Sequence, residues 1–169
     1  MKHNEGLSLV ELIVIIAIMG VLVSVVGISV TVVSRQKVSN AASDVRGQFQ
    51  TAQTIAMSKD NCYMQFEQNA NGETVFTIHS SNNAILDRVT VSEKISITVG
   101  YGSSTLNMSS CGVVRIYYDR ESGAIRDAFL CGTSSSDGTS VGNIDTIRFS
   151  NGSKSVTLHL TKLTGKVSY

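Results

Sequence analysis

From Leu12 to Ser34 the chain carries no ionisable side chain, and extending the segment back to Leu7 adds only Glu11. A run of that length meets the roughly 20-residue requirement for a helix that crosses a bilayer, where each backbone polar group must be satisfied within the segment itself. Cations stand on both sides, Lys2 before and Arg35 and Lys37 after, so loop charge alone leaves its orientation ambiguous. The remainder has the opposite character. The 169 residues include 24 serines and 14 threonines, yet the mean hydropathy is +0.13, because the apolar residues are concentrated in this one segment. Fourteen Lys and Arg against thirteen Asp and Glu disfavour a basic nucleic-acid surface or a polybasic membrane patch, both of which need clustered cations.

Two ordinary explanations of the run fit poorly. A secretory signal peptide has an apolar core of about 7 to 15 residues followed by a small-x-small cleavage site, and this core is longer and continues in helical pattern. A plain signal anchor leaves Glu11 unexplained, since an ionised carboxylate costs about 2.5 to 3.5 kcal/mol at the bilayer centre and less near the interface. Snorkelling to the interface is the bland alternative for that side chain.

The stretch Gly6-Leu7-Ser8-Leu9-Val10-Glu11-Leu12-Ile13-Val14-Ile15-Ile16-Ala17-Ile18 resembles the amino-terminal motif shared by type IV pilins and type II secretion pseudopilins. The shared features are a short charged leader ending in Gly, an apolar residue, and Glu four positions later inside a long apolar helix. The resemblance implies that a prepilin peptidase cuts between Gly6 and Leu7, that Leu7 becomes an N-methylated first residue, and that Glu11 is the assembly carboxylate. It implies as partners other subunits of the same kind, the peptidase, the cytoplasmic membrane and an assembly platform. It implies residence as a single-pass membrane protein before assembly and in an extracellular pilus or pseudopilus afterwards. Elementary electrostatics agrees: an α-amine and a carboxylate are each costly in a low-dielectric helix bundle, and pairing them across two subunits neutralises both.

Beyond the apolar run, Val38, Ala41, Val45, Phe49, Ala52 and Ala56 recur at three- and four-residue intervals, with Ala42 and Ile55 widening the stripe. Lys37, Asp44, Arg46, Gln50 and Lys59 fall elsewhere. This predicts an amphipathic continuation of one helix to about Lys59, roughly 80 Å from Leu7. Gly20 and Gly27 are weak points or small packing residues in its apolar half.

From Asn61 the pattern changes to short β-like runs: 62–68, 74–79, 86–91, 95–99, 113–119, 124–130, 144–150, 155–160 and 165–168. Asn71-Gly72, Ser122-Gly123 and Asn151-Gly152 supply turn chemistry between them, while 100–110 and 132–142, rich in Ser, Thr and Gly, read as loops. The fold expected is α+β: a long N-terminal helix, half membrane and half amphipathic, packed on an antiparallel β-sheet domain as in type IV pilins. The expected divisions are a leader at 1–6, a membrane and assembly helix at 7–34, its amphipathic half at 35–60 and a β domain at 61–169. The closing runs Asp145–Gly152, Val156–Leu160 and Thr164–Val167 are similar to the last strands of H-type minor pseudopilins, as is Ala52–Ala56 followed by Tyr63–Phe66, which implies a minor subunit.

Sites for chemistry are sparse. Cys62, Cys111 and Cys131 allow at most one intrachain disulfide, with Cys111 and Cys131, flanking a strand pair, favoured over three free thiols. His79 and His159 lie at no metal-ligand spacing from each other or from the cysteines, so neither a metal nor another cofactor is expected. There is no Gly-x-Ser-x-Gly elbow and no phosphate loop, and Asp119, Glu121 and Asp127 read as a solvated hairpin end, so catalysis is not expected. Asn107-Met108-Ser109 and Asn151-Gly152-Ser153 match the glycosylation pattern, the second being better explained as a turn. Tyr117-Tyr118 with Arg115 and Arg120 forms the one aromatic and basic cluster; alternation puts one tyrosine in the core and the other on the surface, which disfavours DNA contact. A structural filament subunit is therefore the expected function. The rival is an uncleaved, signal-anchored extracellular module for adhesion or DNA uptake.

Overall fold

A single helix, α1 (Leu9–Met57), of 49 residues and so about 73 Å long, runs through both halves of the sequence pattern. The computed structural model describes residues 8–58, 61–133 and 136–169, and within α1 the side chains of residues 24–31 lie outside that description. The expected helix ends at Leu7 and Lys59 fall outside it too. Within it α1 closes at Ser58, whose N–H reaches the carbonyls of Thr54 and Ile55 and whose Oγ donates to the Ile55 carbonyl.

The second half of α1 is amphipathic because its inward stripe has no solvent contact: Val38, Ala42, Val45, Phe49, Ala52 and Ala56 are all 0% exposed. The sequence pattern placed Ala41 in that stripe and Ala42 beside it. The order is reversed, since a 3.6-residue period over five turns lets either neighbour face inward and the approach of the sheets decides. Gln48 is also buried, donating to Asp87 Oδ2 at 2.7 Å, a cross-element bond that apolar periodicity does not reveal.

Eleven strands follow among the described residues: β1 (Tyr63–Gln68), β2 (Thr74–His79), β3 (Ile85–Val91), β4 (Ser96–Tyr101), β5 (Ser104–Asn107), β6 (Val113–Tyr118), β7 (Ile125–Gly132), β8 (Thr139–Ser140), β9 (Thr146–Ser150), β10 (Ser155–Leu160) and β11 (Val167–Ser168). All nine expected strands are present, with ends moved by a residue or two. The segments 100–110 and 132–142, expected as loops, hold β5, a 3-10 turn at Met108–Ser110, and β8. Both extra strands are short, Ser- and Thr-rich edges, where pairing to one neighbour stands in for apolar patterning.

The strands form two antiparallel sheets, ordered β3-β2-β1-β6-β7-β8 and β11-β10-β9-β4-β5. Their inner faces meet α1 in one core, in which Phe76 of the first sheet packs on Phe66 and reaches Phe149 of the second. The three predicted hairpin turns are present, each with its glycine at positive φ. Two distant turns lock the top of α1: Gln53 donates to the Thr164 carbonyl at 2.6 Å, and Gly165, at φ 64°, lies so close to the Gly123 carbonyl that a side chain there has no room. Lower down, the Arg46 guanidinium sits 4.9 Å over the ring of Tyr169, the last residue.

Candidate functional site

The N-terminus of α1 is organised by Ser8 and Glu11. Glu11 N donates to Ser8 Oγ and Ser8 N to Glu11 Oε2, both at 3.3 Å, a reciprocal capping box that satisfies two of the helix's orphan donors. The carboxylate also stands in the first turn, where the helix dipole favours negative charge. Hydropathy alone does not single out Ser8; its signal is the Ser-x-x-Glu spacing ahead of an apolar run. Gly6 and Leu7, the expected cleavage and methylation positions, lie outside the described residues.

The helix above this cap is apolar on every side. Large hydrophobic residues from Leu9 to Val23 are all exposed, from 43% at Ile15 to 75% at Leu9, and none packs on the β domain. A helix apolar all round belongs in lipid or inside a bundle of other helices. Among the described residues no helical stretch is long and apolar enough to cross a membrane; the described side chains stop at Val23 and resume at Val32, and the uncharged run of the sequence passes between them. A Cβ on Gly20 would meet nothing within 4 Å, so its smallness is not required by its own chain.

Where α1 enters the β domain its path is fixed by the β9–β10 turn. Asn151 Nδ2 donates to the Ser34 carbonyl at 2.8 Å and to Ser34 Oγ at 3.0 Å, while its Oδ1 accepts from Ser153 N and Lys154 N. Lys154 Nζ donates to Ser39 Oγ at 2.7 Å. Asn151 is thus the turn residue expected, and also a clamp on the helix.

The remaining candidates resolve into structural roles. Cys111 and Cys131 are free thiols that neighbour each other at the end of the β6–β7 ladder. Burial, and then the contact with Cys131, push the Cys111 thiol up to about 12. Cys131 is exposed and sits at φ 57°, while Cys62 is buried and donates to the Ala52 carbonyl. The aromatic and basic residues split as alternation expects: Tyr117 and Arg115 share Asp137 beside Tyr63, with the Arg126 guanidinium 5.7 Å from the Tyr117 ring centroid, and Tyr118 lies on the other face. Tyr118 points into the core, and Arg115 is 6% exposed, bonded to Gln65, to the Thr133 carbonyl and to Asp137 at 2.9 Å. Tyr117 also donates to Asp137; burial first and this bond second push its hydroxyl up to about 12.

His79 stacks on Tyr63 with ring centroids 4.9 Å apart, and His159 is exposed on β10. Among the described residues no three His, Cys, Asp or Glu side chains converge as metal ligands. Asp119 closes its turn by accepting from Glu121 N, Ser122 N and Ser122 Oγ, bonds that hold its carboxyl below the usual range. Asp127 pairs with Arg126 at 3.4 Å. Asn107 caps the 3-10 turn by accepting from Ser109 N.

Residues 1–27 match the family described as the prokaryotic N-terminal methylation motif. Comparison with curated proteins and with solved structures gave no match.

Proposed function

We propose that this chain, which carries the prepilin-type signature of type IV pilins and pseudopilins over residues 1–27, is a structural subunit of a type IV pilus or type II secretion-like pseudopilus, in the minor class. One observation carries the reading: the same continuous helix is capped by Ser8 and Glu11, exposed and apolar from Leu9 to Val23, and docked into a β domain through its second half. A chain built this way needs no catalytic residue to function. Its β domain is exported while the apolar half of α1 stays in the cytoplasmic membrane, and the leader at 1–6 is cut between Gly6 and Leu7. Leu7 is then N-methylated, and the helix leaves lipid for a bundle of like helices in an extracellular filament. Apolar neighbours replace acyl chains around α1, so the transfer changes little in solvation, and the Glu11-to-amine pair selects the register.

Intact mass after coexpression with a prepilin peptidase tests this. The mature chain is expected to begin at Leu7 and to carry one added methyl group. Retention of Met1 to Gly6 would overturn the reading and leave an anchored binding module.

We further propose that Cys111 and Cys131 join once the domain reaches an oxidising compartment. The exposed Cys131 thiolate attacks an external disulfide, of the thiol–disulfide oxidoreductase class. Cys111 then displaces the mixed disulfide, the two thiols yielding two protons and two electrons in all. The bridge would close a loop of about 20 residues, worth roughly 3 kcal/mol in the chain-entropy treatment. Non-reducing peptide mapping of exported chain is expected to link Cys111 to Cys131 and leave Cys62 a thiol. A Cys62 linkage, or free Cys131, would refute it.

A further inference from the structure

At the base of the β domain, where α1 emerges, lies a cleft of about 370 Å³. Its apolar surface comes from Val33 and the buried Ile95, and its polar rim from Lys37, Lys94, Ser34 and Ser92. Each polar side chain on that rim can donate a hydrogen bond, and among the described residues neither lysine has an ion-pair partner. One acidic residue, Glu93, stands between Ser92 and Lys94, its Cβ 3.5 Å from where a Cβ on Gly72 would stand, against four nearby cations in Arg35, Lys37, Lys94 and Lys154. Arg35 is exposed one residue after Ser34, and Lys154 approaches from the β9–β10 turn but is bonded to Ser39. The overall charge of +1 therefore conceals a cationic end, assembled from α1 and from the β3–β4 and β9–β10 turns.

The position of the cleft selects its occupant. Immediately below it Val32 and Val33 are 59% and 55% exposed, at the top of the apolar half of α1. The Asn151 clamp on Ser34 holds that exit at a fixed angle to the cleft. If α1 is anchored in lipid to this point, the cleft opens at headgroup depth. A mobile phosphate would gain from the two ammonium groups but nothing from Val33 and Ile95. A phospholipid can use both, setting its phosphodiester at the lysines and its glycerol region on the apolar wall.

We propose that this cleft seats the phosphate of an anionic phospholipid headgroup, holding the β domain down on the bilayer before assembly. The inference rests on the reading of α1 as a membrane anchor. Tethering by α1 keeps the headgroup at high effective concentration, so a weak site suffices and each contact is readily given up when the subunit leaves the membrane.

The test uses the full chain in phosphatidylcholine vesicles with and without phosphatidylglycerol, labelled by an uncharged amine reagent and read by mass spectrometry. Phosphatidylglycerol is expected to slow labelling of Lys37 and Lys94 about fivefold, the equivalent of the ~1 kcal/mol that an anionic surface gives each lysine. Lys162 and Lys166, at the far end of the domain, are expected to keep their rates, and Lys154, at the base but outside the cleft and bonded to Ser39, to slow clearly less than Lys37 and Lys94. Lys37→Gln is expected to return Lys94 towards its rate in phosphatidylcholine. Equal slowing at Lys154, or no slowing at Lys37 and Lys94, would overturn the cleft. Protection by inorganic phosphate in phosphatidylcholine alone would overturn a lipid as its source. Vesicle flotation separates the two levels, because a chain that fails to float refutes the anchor, whereas a floating chain with unprotected lysines refutes only the headgroup site.

Discussion

A chain carrying Glu11→Gln is expected to be made, folded and held in the membrane, and to be missing from purified filaments. The substitution separates two roles of one side chain. In the isolated subunit Glu11 completes the capping box with Ser8, and Gln at that position keeps both hydrogen bonds while removing the charge. Losing the cap outright costs about 0.5 to 2 kcal/mol, whereas stranding a buried charge by removing its partner costs about 3 to 5 kcal/mol. The second is the larger, so incorporation is expected to fall about a hundredfold or more with Glu11→Gln and Glu11→Ala alike. Ser8→Ala, which removes the cap but not the carboxylate, should incorporate nearly as the parent does. Filament content measured by quantitative immunoblot against soluble-domain yield checks this, and parental incorporation of Glu11→Gln would remove the proposed charge pairing.

Phe49→Ala is expected to destabilise the docked domain by about 3 to 5 kcal/mol, the range for deleting a buried phenyl ring. The fully buried apolar stripe of α1 is otherwise Ala and Val, so Phe49 is the largest apolar side chain that α1 sends into the core between the two sheets. Alanine there leaves a cavity that sheets held by their own ladders close only in part. Urea denaturation of the full chain in detergent, with the exposed Thr51→Ala as a control expected to stay within about 0.5 kcal/mol, reads the effect. A loss under about 1 kcal/mol at Phe49 would mean that the helix is not anchored through this ring.

Much of the architecture was legible because it rests on local signals. The uncharged run, the later apolar stripe and the Asn-Gly and Ser-Gly turns each dictate backbone geometry over a few residues, and helix, strands and hairpins follow. What was not legible depends on which elements meet. Nothing in Ser104–Asn107 or Thr139–Ser140 marks a strand until β4 and β7 offer free edges. Alternation placed one of Tyr117 and Tyr118 outside, but not the Gln65 and Asp137 that bury Arg115 there, since they come from β1 and a distant loop. In the candidate site Glu11 stood out as a charge where none is cheap. The cationic base did not, because its lysines are scattered along the chain and summed to nothing in the composition.

The ties that hold α1 have a consequence in time. Ser34 waits for Asn151, Ser39 for Lys154, Gln53 for Thr164 and Arg46 for Tyr169, so a helix made early is secured by residues more than a hundred positions further on. Contacts separated by more than a hundred residues form late, after the entropy of closing so long a loop has been met. A chain made N-terminus first therefore cannot complete these ties until Asn151, Lys154 and Thr164 are free. In the export proposed for this subunit, the β domain would stay open, and threadable through a narrow conduit, while it crosses.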